Sequence, residues 1–205
     1  MSLVEFTVQQ YLSTLASSAP APGGGSASAL CGAQGAGLAA MVVGLTLGKK
    51  RYEAHQSVCE SILPRLTQLQ HKLMEQIDLD TQAFEQVSAA FSLPKLTQQE
   101  LELRSKAIEA ATIVAAKVPL HTMELALQAL ELADRLSEGF NRSAASDLAV
   151  AALNLSACVH GAWRNVLINC DSMKDGEACN AFKTQGEAIV QQTDSLASLV
   201  LERTK

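Results

Sequence analysis

Aromatic residues make up only 4% of a 205-residue chain that is nonetheless 48% hydrophobic. An interior short of large rings must be filled by Ala, Leu and Val, which pack well between closely spaced helices, so an all-α fold is expected and a sheet is not. An excess of positive charge is also missing. The formal net charge is -5, and the one basic cluster, Lys49-Lys50-Arg51, is too short to supply the field that nucleic acid requires. Cys31, Cys59, Cys158, Cys170 and Cys179 form an odd set without C-x-x-C spacing, and no signal peptide precedes them, which reads as free thiols in a reducing cytoplasm. His55, His71, His121 and His160 lack HExxH or any paired-ligand spacing, so no metal is expected. The glycines lack the P-loop order and do not follow a strand, which leaves nucleotide binding unsupported. Strand-like alternation, long linkers and internal repeats are absent too. What these absences leave is one domain, residues 1–205, folded as a long-helix bundle.

What the chain does have is helical periodicity. Ser2 and Glu5 fit a capping box, and Val4, Val8, Tyr11, Leu12 and Leu15 follow at helical spacing. Pro20 to Ser26, containing Gly23-Gly24-Gly25, ends that helix in an exposed loop. From Ala27 to Gly48, residues Ser28, Gly32, Ala36, Ala40, Gly44 and Gly48 recur every four. Their spacing predicts a helix face of small side chains that wants a close neighbour, and with it a homodimer or higher homo-oligomer. A run of about 20 uncharged residues has the length of a membrane span. This one is mostly Ala, Gly and Ser, and no second run of the kind is evident, so a central helix of the bundle is expected and no membrane partner.

A long helix follows from His55 to Phe91, bent at Pro64, with Val58, Ile62, Leu66, Leu69, Leu73, Ile77, Phe84, Val87 and Phe91 on one stripe. Thr97 and Glu100 make a capping box for a helix reaching Lys117. Pro119 then either kinks it or starts another, Leu120 to Leu136, closed by Gly139. Helices Ser143 to Asn169 and Glu177 to Arg203 complete six or seven in all, the last one amphipathic through Ile189, Leu196 and Val200.

Three features carry chemistry. The step between Ile77 and Phe84 falls on Asp80, a carboxylate where the stripe calls for an apolar side chain. Either it pairs with a cation and holds register, or partial burial raises its pKa and makes it a general acid near neutral pH. Asp78 points nearly the opposite way and is expected in solvent. On the Ser143–Asn169 helix, Asp147, Asn154, Cys158, Asn165 and Asn169 fall in a narrow sector. That polar stripe either faces water, with Asp147 complementing the helix dipole, or lines a cleft whose asparagines bind an amide-bearing ligand. The triple glycine is either a plain turn or a loop that opens the N–H groups at the start of the central helix to a ligand.

Taken in order, PGGGS (22–26), LTLGKKRYE (45–53), IDLDTQAF (77–84), VPL (118–120), NRSAASDLAVAA (141–152) and NVLIN (165–169) resemble the cyclodeaminase/cyclohydrolase family of folate enzymes, the C-terminal part of formiminotransferase-cyclodeaminase. The likeness covers nearly the whole chain. It implies an all-α dimer that closes N5-formiminotetrahydrofolate to 5,10-methenyltetrahydrofolate with loss of ammonia, some relatives instead opening methenyltetrahydrofolate with water. It implies Asp80 as proton donor. Beside it, Asp147 is expected as a second catalytic carboxylate, and Gly23, Gly24, Gly25, Ser26, Lys49, Tyr52, Glu53, Asn141, Asn165 and Asn169 as substrate-binding positions. Arg51 departs from the pattern GKK-x-YE only by adding a charge. No tightly bound cofactor is implied, the tetrahydrofolate derivative being the substrate. A separate formiminotransferase is implied as its supplier. A non-catalytic helical folate-binding or scaffold protein is the competing reading.

Overall fold

The computed structural model describes residues 2–205 and is all-helical, with no strand among the described residues. The helices are α1 (Val8–Leu15), α2 (Gly24–Thr46), α3 (Gln56–Phe91), α4 (Gln98–Ser137), α5 (Ala145–Cys170) and α6 (Gly176–Arg203), with 3-10 turns at Leu3–Glu5, Lys50–His55 and Arg142–Ala144. Central α2 packs between α3 and α5, α4 closes on those two, and α6 covers α4 and α5. The main core draws on α2 to α6, through residues such as Val42, Ile62, Leu73, Leu130, Leu155 and Val200. All five cysteines are free thiols.

The start of the chain differs from the sequence reading. Ser2 caps no helix: its hydroxyl donates to Asp78 Oδ2 at 2.6 Å, and the Leu3 N–H donates to Asp78 Oδ1 at 2.6 Å. Asp78, expected in solvent, therefore pins the N-terminal turn onto α3, and the capping box sits instead at Thr7 and Gln10. Tyr11 of α1 is 6% exposed, and its hydroxyl, buried beside Leu3, Ala29 and Ile77, has no hydrogen-bond partner among the described residues. A buried hydroxyl left unpaired costs stability. Tyr11→Phe is therefore expected to raise unfolding free energy by about 1 kcal/mol, read as a shift in the urea midpoint, with activity unchanged.

The four-residue repeat in α2 is not one face. Steps of four turn the helix 400°, so each small residue lies 40° further round than the last. Ser28, Gly32 and Ala36 are buried, whereas Gly44 has rotated into solvent and Gly48 lies in the turn beyond the helix. Close approach is needed at the buried end, where a Cβ on Gly35 would lie 2.9 Å from the Ala151 carbonyl oxygen of α5. Contrary to expectation, α2 is also not alone in its length and hydropathy. An 18-residue window of α4 reaches a mean hydropathy of 1.2, and about half of each window is buried against other helices.

Pro119 neither breaks nor restarts α4, which runs unbroken for 40 residues. Proline has no N–H to give to the carbonyl four residues back, which here is Ala115. That carbonyl instead accepts from Asn169 Nδ2 of α5 at 2.9 Å. Beyond Asp80 the α3 stripe leaves the core: Phe84 and Phe91 are 46% and 54% exposed, because the C-terminal part of α3 and the N-terminal part of α4 run on as a hairpin past the other helices.

Candidate active site

The N-terminus of α2, the C-terminal third of α3 and the C-terminal part of α5 converge on one cleft of about 360 Å³. Gly24 and Gly25, read as loop from sequence, are the first turn of α2, with Gly23 at the cap. Asp80 projects from α3 onto that turn. Its Oδ2 accepts the Ser26 N–H at 2.8 Å and lies 3.0 Å from the Ser26 hydroxyl, which is itself 3.0 Å from the Ile77 carbonyl oxygen. Only a glycine fits at position 25, since a Cβ there would overlap the Asp80 carboxyl group.

The anomaly in the α3 stripe is thus a carboxylate held by a helix N-terminus rather than by a cation. Burial pushes the Asp80 carboxyl above its ordinary range, and the two Ser26 hydrogen bonds pull only part of the way back. One oxygen is occupied, while Oδ1 accepts no hydrogen bond among the described residues. Such a group keeps its proton to higher pH than an exposed carboxyl does and can exchange it with a group in the cleft.

Asn165 and Asn169 stand on the opposite wall, as the α5 stripe suggested. Asn165 Nδ2 donates to the Gly161 carbonyl at 2.9 Å, and Asn169 Nδ2 donates to the carbonyls of Ala115 and Asn165 at 2.9 and 2.8 Å. Asn169 spends both its N–H donors inside the chain and Asn165 one of its two, so both amides keep their carbonyl oxygens as acceptors for a ligand and Asn165 keeps one N–H. The apolar remainder of the wall, Phe84, Val87 and Ile168, was missed in the sequence. Its signal was there: Phe84 lies one helical turn beyond Asp80 and Ile168 one turn beyond Asn165, which places each beside its polar neighbour.

The other sequence-selected residues do not join this cleft. Lys49, Tyr52, Glu53, Asn141 and Asp147 cluster at the far end of α2, about 30 Å away by the rise of 21 helical residues from Gly25 to Thr46. Asn141 is 7% exposed and ties elements together. Its N–H donates to Thr46 Oγ1 at 3.0 Å, its Nδ2 donates to the Leu45 carbonyl at 3.2 Å, and its Oδ1 accepts from Ser143 N–H and Tyr52 Oη. Tyr52 Oη in turn accepts the Arg142 N–H at 3.2 Å. Asp147 is half-buried in the first turn of α5, and Lys49 and Glu53 are exposed. Asn154 and Cys158 of the same stripe lie between the two ends, Cys158 buried against Gly32 of α2.

A family model described as formiminotransferase-cyclodeaminase matches residues 7–188. The chain is 34% identical over 199 residues to the methenyltetrahydrofolate cyclohydrolase of Methylorubrum extorquens, covering 97% of this chain and 96% of that protein. It is 35% identical over 200 residues to the formimidoyltransferase-cyclodeaminase of Dictyostelium discoideum, covering 98% of this chain but only 36% of that longer protein. The crystal structure of a formiminotetrahydrofolate cyclodeaminase from Thermotoga maritima matches with a TM-score of 0.87 and 26% identity, over 97% of this chain and 96% of that one.

Proposed function

The chain belongs to the formiminotransferase-cyclodeaminase family and is an enzyme of the cyclodeaminase/cyclohydrolase kind, and on that premise we propose that it closes N5-formiminotetrahydrofolate to 5,10-methenyltetrahydrofolate with release of ammonia. The observation that carries this reading is the Asp80 carboxyl, buried on the first turn of α2 with one oxygen free and its pKa raised.

The reaction joins N10 to the formimino carbon and then breaks the bond from that carbon to the formimino nitrogen. Starting from the protonated amidine, N10 attacks and gives up its proton, leaving a neutral tetrahedral carbon bearing an amino group. That amine departs only once protonated. Asp80 does both jobs: as carboxylate it takes the N10 proton, and as acid it delivers a proton to the amine. Ammonia leaves, and the cationic methenyl bridge retains the charge the substrate brought in.

The surrounding residues supply position. The carbonyl oxygens of Asn165 and Asn169 suit the ring N–H donors of a pterin, and Phe84, Val87 and Ile168 suit its flat faces. Gly23 and Gly24 let the ligand approach the N–H groups at the start of α2 without a side chain in the way.

Methenyltetrahydrofolate hydrolysis is the second reading, favoured by the like-length relative of that name. The two reactions share the tetrahedral carbon and differ in whether an amine must be protonated or a water deprotonated. The cleft offers one raised carboxyl and no histidine or second carboxylate to activate water, which favours the amine. The test is kcat/KM for both folates on one preparation, with the formimino substrate expected to be preferred. A preference of about tenfold for methenyltetrahydrofolate, some 1.4 kcal/mol of transition-state selectivity, would reassign the chain as a cyclohydrolase.

A further inference from the structure

A threonine inside a helix can give its hydroxyl proton to the carbonyl four residues back. Thr46, Thr67, Thr112 and Thr122 all do so in this chain. Thr81 of α3 does not. The carbonyl it would take, that of Ile77, already has the Ser26 hydroxyl 3.0 Å away, and the hydrogen-bond partner of the Thr81 hydroxyl among the described residues is Ser26 Oγ itself, at 3.3 Å. Thr81 is half-buried in the wall of the cleft, next to Asp80, and alone among the described lining residues it bears a hydroxyl. We propose that Thr81 is a further substrate-contacting residue, whose oxygen accepts an N–H of the formimino nitrogen and so turns that nitrogen's lone pair toward Asp80.

Proton counting sets the direction of the contact. Ser26 Oγ carries a single proton, and both the Ile77 carbonyl oxygen and Asp80 Oδ2 are placed to accept it. Neither offers a proton in return while Asp80 is a carboxylate or holds its proton on the free Oδ1. Thr81 is therefore the donor to Ser26, and with its proton spent inward its oxygen meets the cleft only as an acceptor. Asp80 and Thr81 rest on the same Ser26 atom, so the acid and this acceptor stand side by side.

A departing amine needs both. On the tetrahedral carbon the amino group has two N–H bonds and one lone pair, and only the lone pair can take a proton. An acceptor for one N–H fixes the rotation about the carbon–nitrogen bond, which aims the lone pair at the acid. As the proton crosses from Asp80, the nitrogen gains positive charge and its N–H bonds become stronger donors, so the Thr81 contact tightens toward the transition state. The carbon–nitrogen bond then breaks with its electron pair going to nitrogen. Ammonia leaves, Asp80 is again a carboxylate, and the methenyl bridge carries the charge. The inference rests on the reaction proposed above and names the residue that reads its leaving group.

Thr81→Val keeps the shape of the side chain without its oxygen, and Thr81→Ala removes the oxygen with no branch to clash. Both are expected to lose about 10–100-fold in kcat/KM for formiminotetrahydrofolate, the effect of one hydrogen bond to a charged donor. Thr81→Ser keeps the oxygen and is expected to stay close to wild type. Two further readouts separate contact from support. Methenyltetrahydrofolate lacks the nitrogen, so its constant as a product inhibitor should be the same for wild type and Thr81→Val. The pH midpoint of kcat, which belongs to Asp80, should not move. Wild-type turnover in Thr81→Val, a Thr81→Ser chain as poor as Thr81→Val, a parallel loss of product inhibition, or a shifted midpoint with an undiminished plateau would each overturn the proposal, the last by making Thr81 a support for Asp80 through Ser26. A wild-type chain that does not close formiminotetrahydrofolate overturns the proposed reaction instead, and this inference falls with it.

Discussion

Asp80→Asn is expected to lower kcat for formiminotetrahydrofolate closure by about 10²–10⁴-fold while the chain stays folded with a thermal midpoint no lower than wild type. The amide oxygen can still accept from the Ser26 N–H and hydroxyl that now hold Oδ2, so no donor is orphaned. What is lost is the exchangeable acid. The stability half of the prediction follows from linkage. Because the folded-state pKa of Asp80 is raised above its ordinary 3.8, the folded chain keeps a proton over a pH window in which the unfolded chain has released it. Stability therefore falls as pH rises through that window, and the cost is present in full above it. The asparagine variant has no such window, so its midpoint should gain on wild type from pH 4 upward. In turnover, Asp80 enters as the carboxylate that takes the N10 proton, so wild-type kcat should decline as pH falls below the raised pKa, where that carboxylate is already protonated. A variant that melts lower than wild type at pH 7, or that keeps wild-type turnover, contradicts the role given to this carboxyl.

Gly25→Ala is expected to be nearly as damaging by a different route. Its methyl group would overlap the Asp80 carboxyl, and that carboxyl sits at the end of a short side chain pinned by Ser26. Relief comes by turning Asp80 off its hydrogen bonds or lifting the first turn of α2 away from α3, at a cost of about 1–3 kcal/mol in stability. A displacement of about 1 Å at a reacting group costs about 10²-fold in rate, so activity should fall by that order even in the fraction that folds. Gly24→Ala is the control. There the Cβ meets only the Asn165 side chain, at 3.5 Å, an ordinary contact, and the fold should hold. Melting curves for the pair read the difference, since Gly24 itself borders the ligand cleft; equal loss of stability in the two variants would mean that the α2–Asp80 approach is not what position 25 protects.

Most helices were legible because capping and periodicity are local. The Thr97–Glu100 box and the α3 stripe as far as Ile77 stand where spacing put them. Asp80 was visible as a break in a pattern, which needs no knowledge of the partner helix. What escaped is whatever depends on a neighbour. Ser2 fitted a capping box by type and spacing, but Asp78 offered its hydroxyl a charged acceptor. The stripe beyond Asp80 looked like core until α3 and α4 proved longer than the helices that would cover Phe84 and Phe91. On α2, apolar side chains all round hide which half is inside, and steps of four resemble a face for two turns before they drift off it. The cleft itself divides the same way: Asp80 and the asparagines announced themselves by polarity and Ser26 by its place in the glycine block, whereas the wall of Phe84, Val87 and Ile168 is apolar and looked like any core.

The carbonyl freed by Pro119 and filled by Asn169 couples two positions 50 residues apart in the chain. With proline at 119, the amide of Asn169 is clamped through its nitrogen, and its oxygen is left as a free acceptor in the cleft wall. With any other residue there, a backbone N–H would compete for the Ala115 carbonyl and leave the Asn169 side chain held mainly by the Asn165 carbonyl. Positions 119 and 169 are therefore epistatic: the effect of changing one is conditional on the other, and a proline that does not line the cleft sets how an amide in its wall is held.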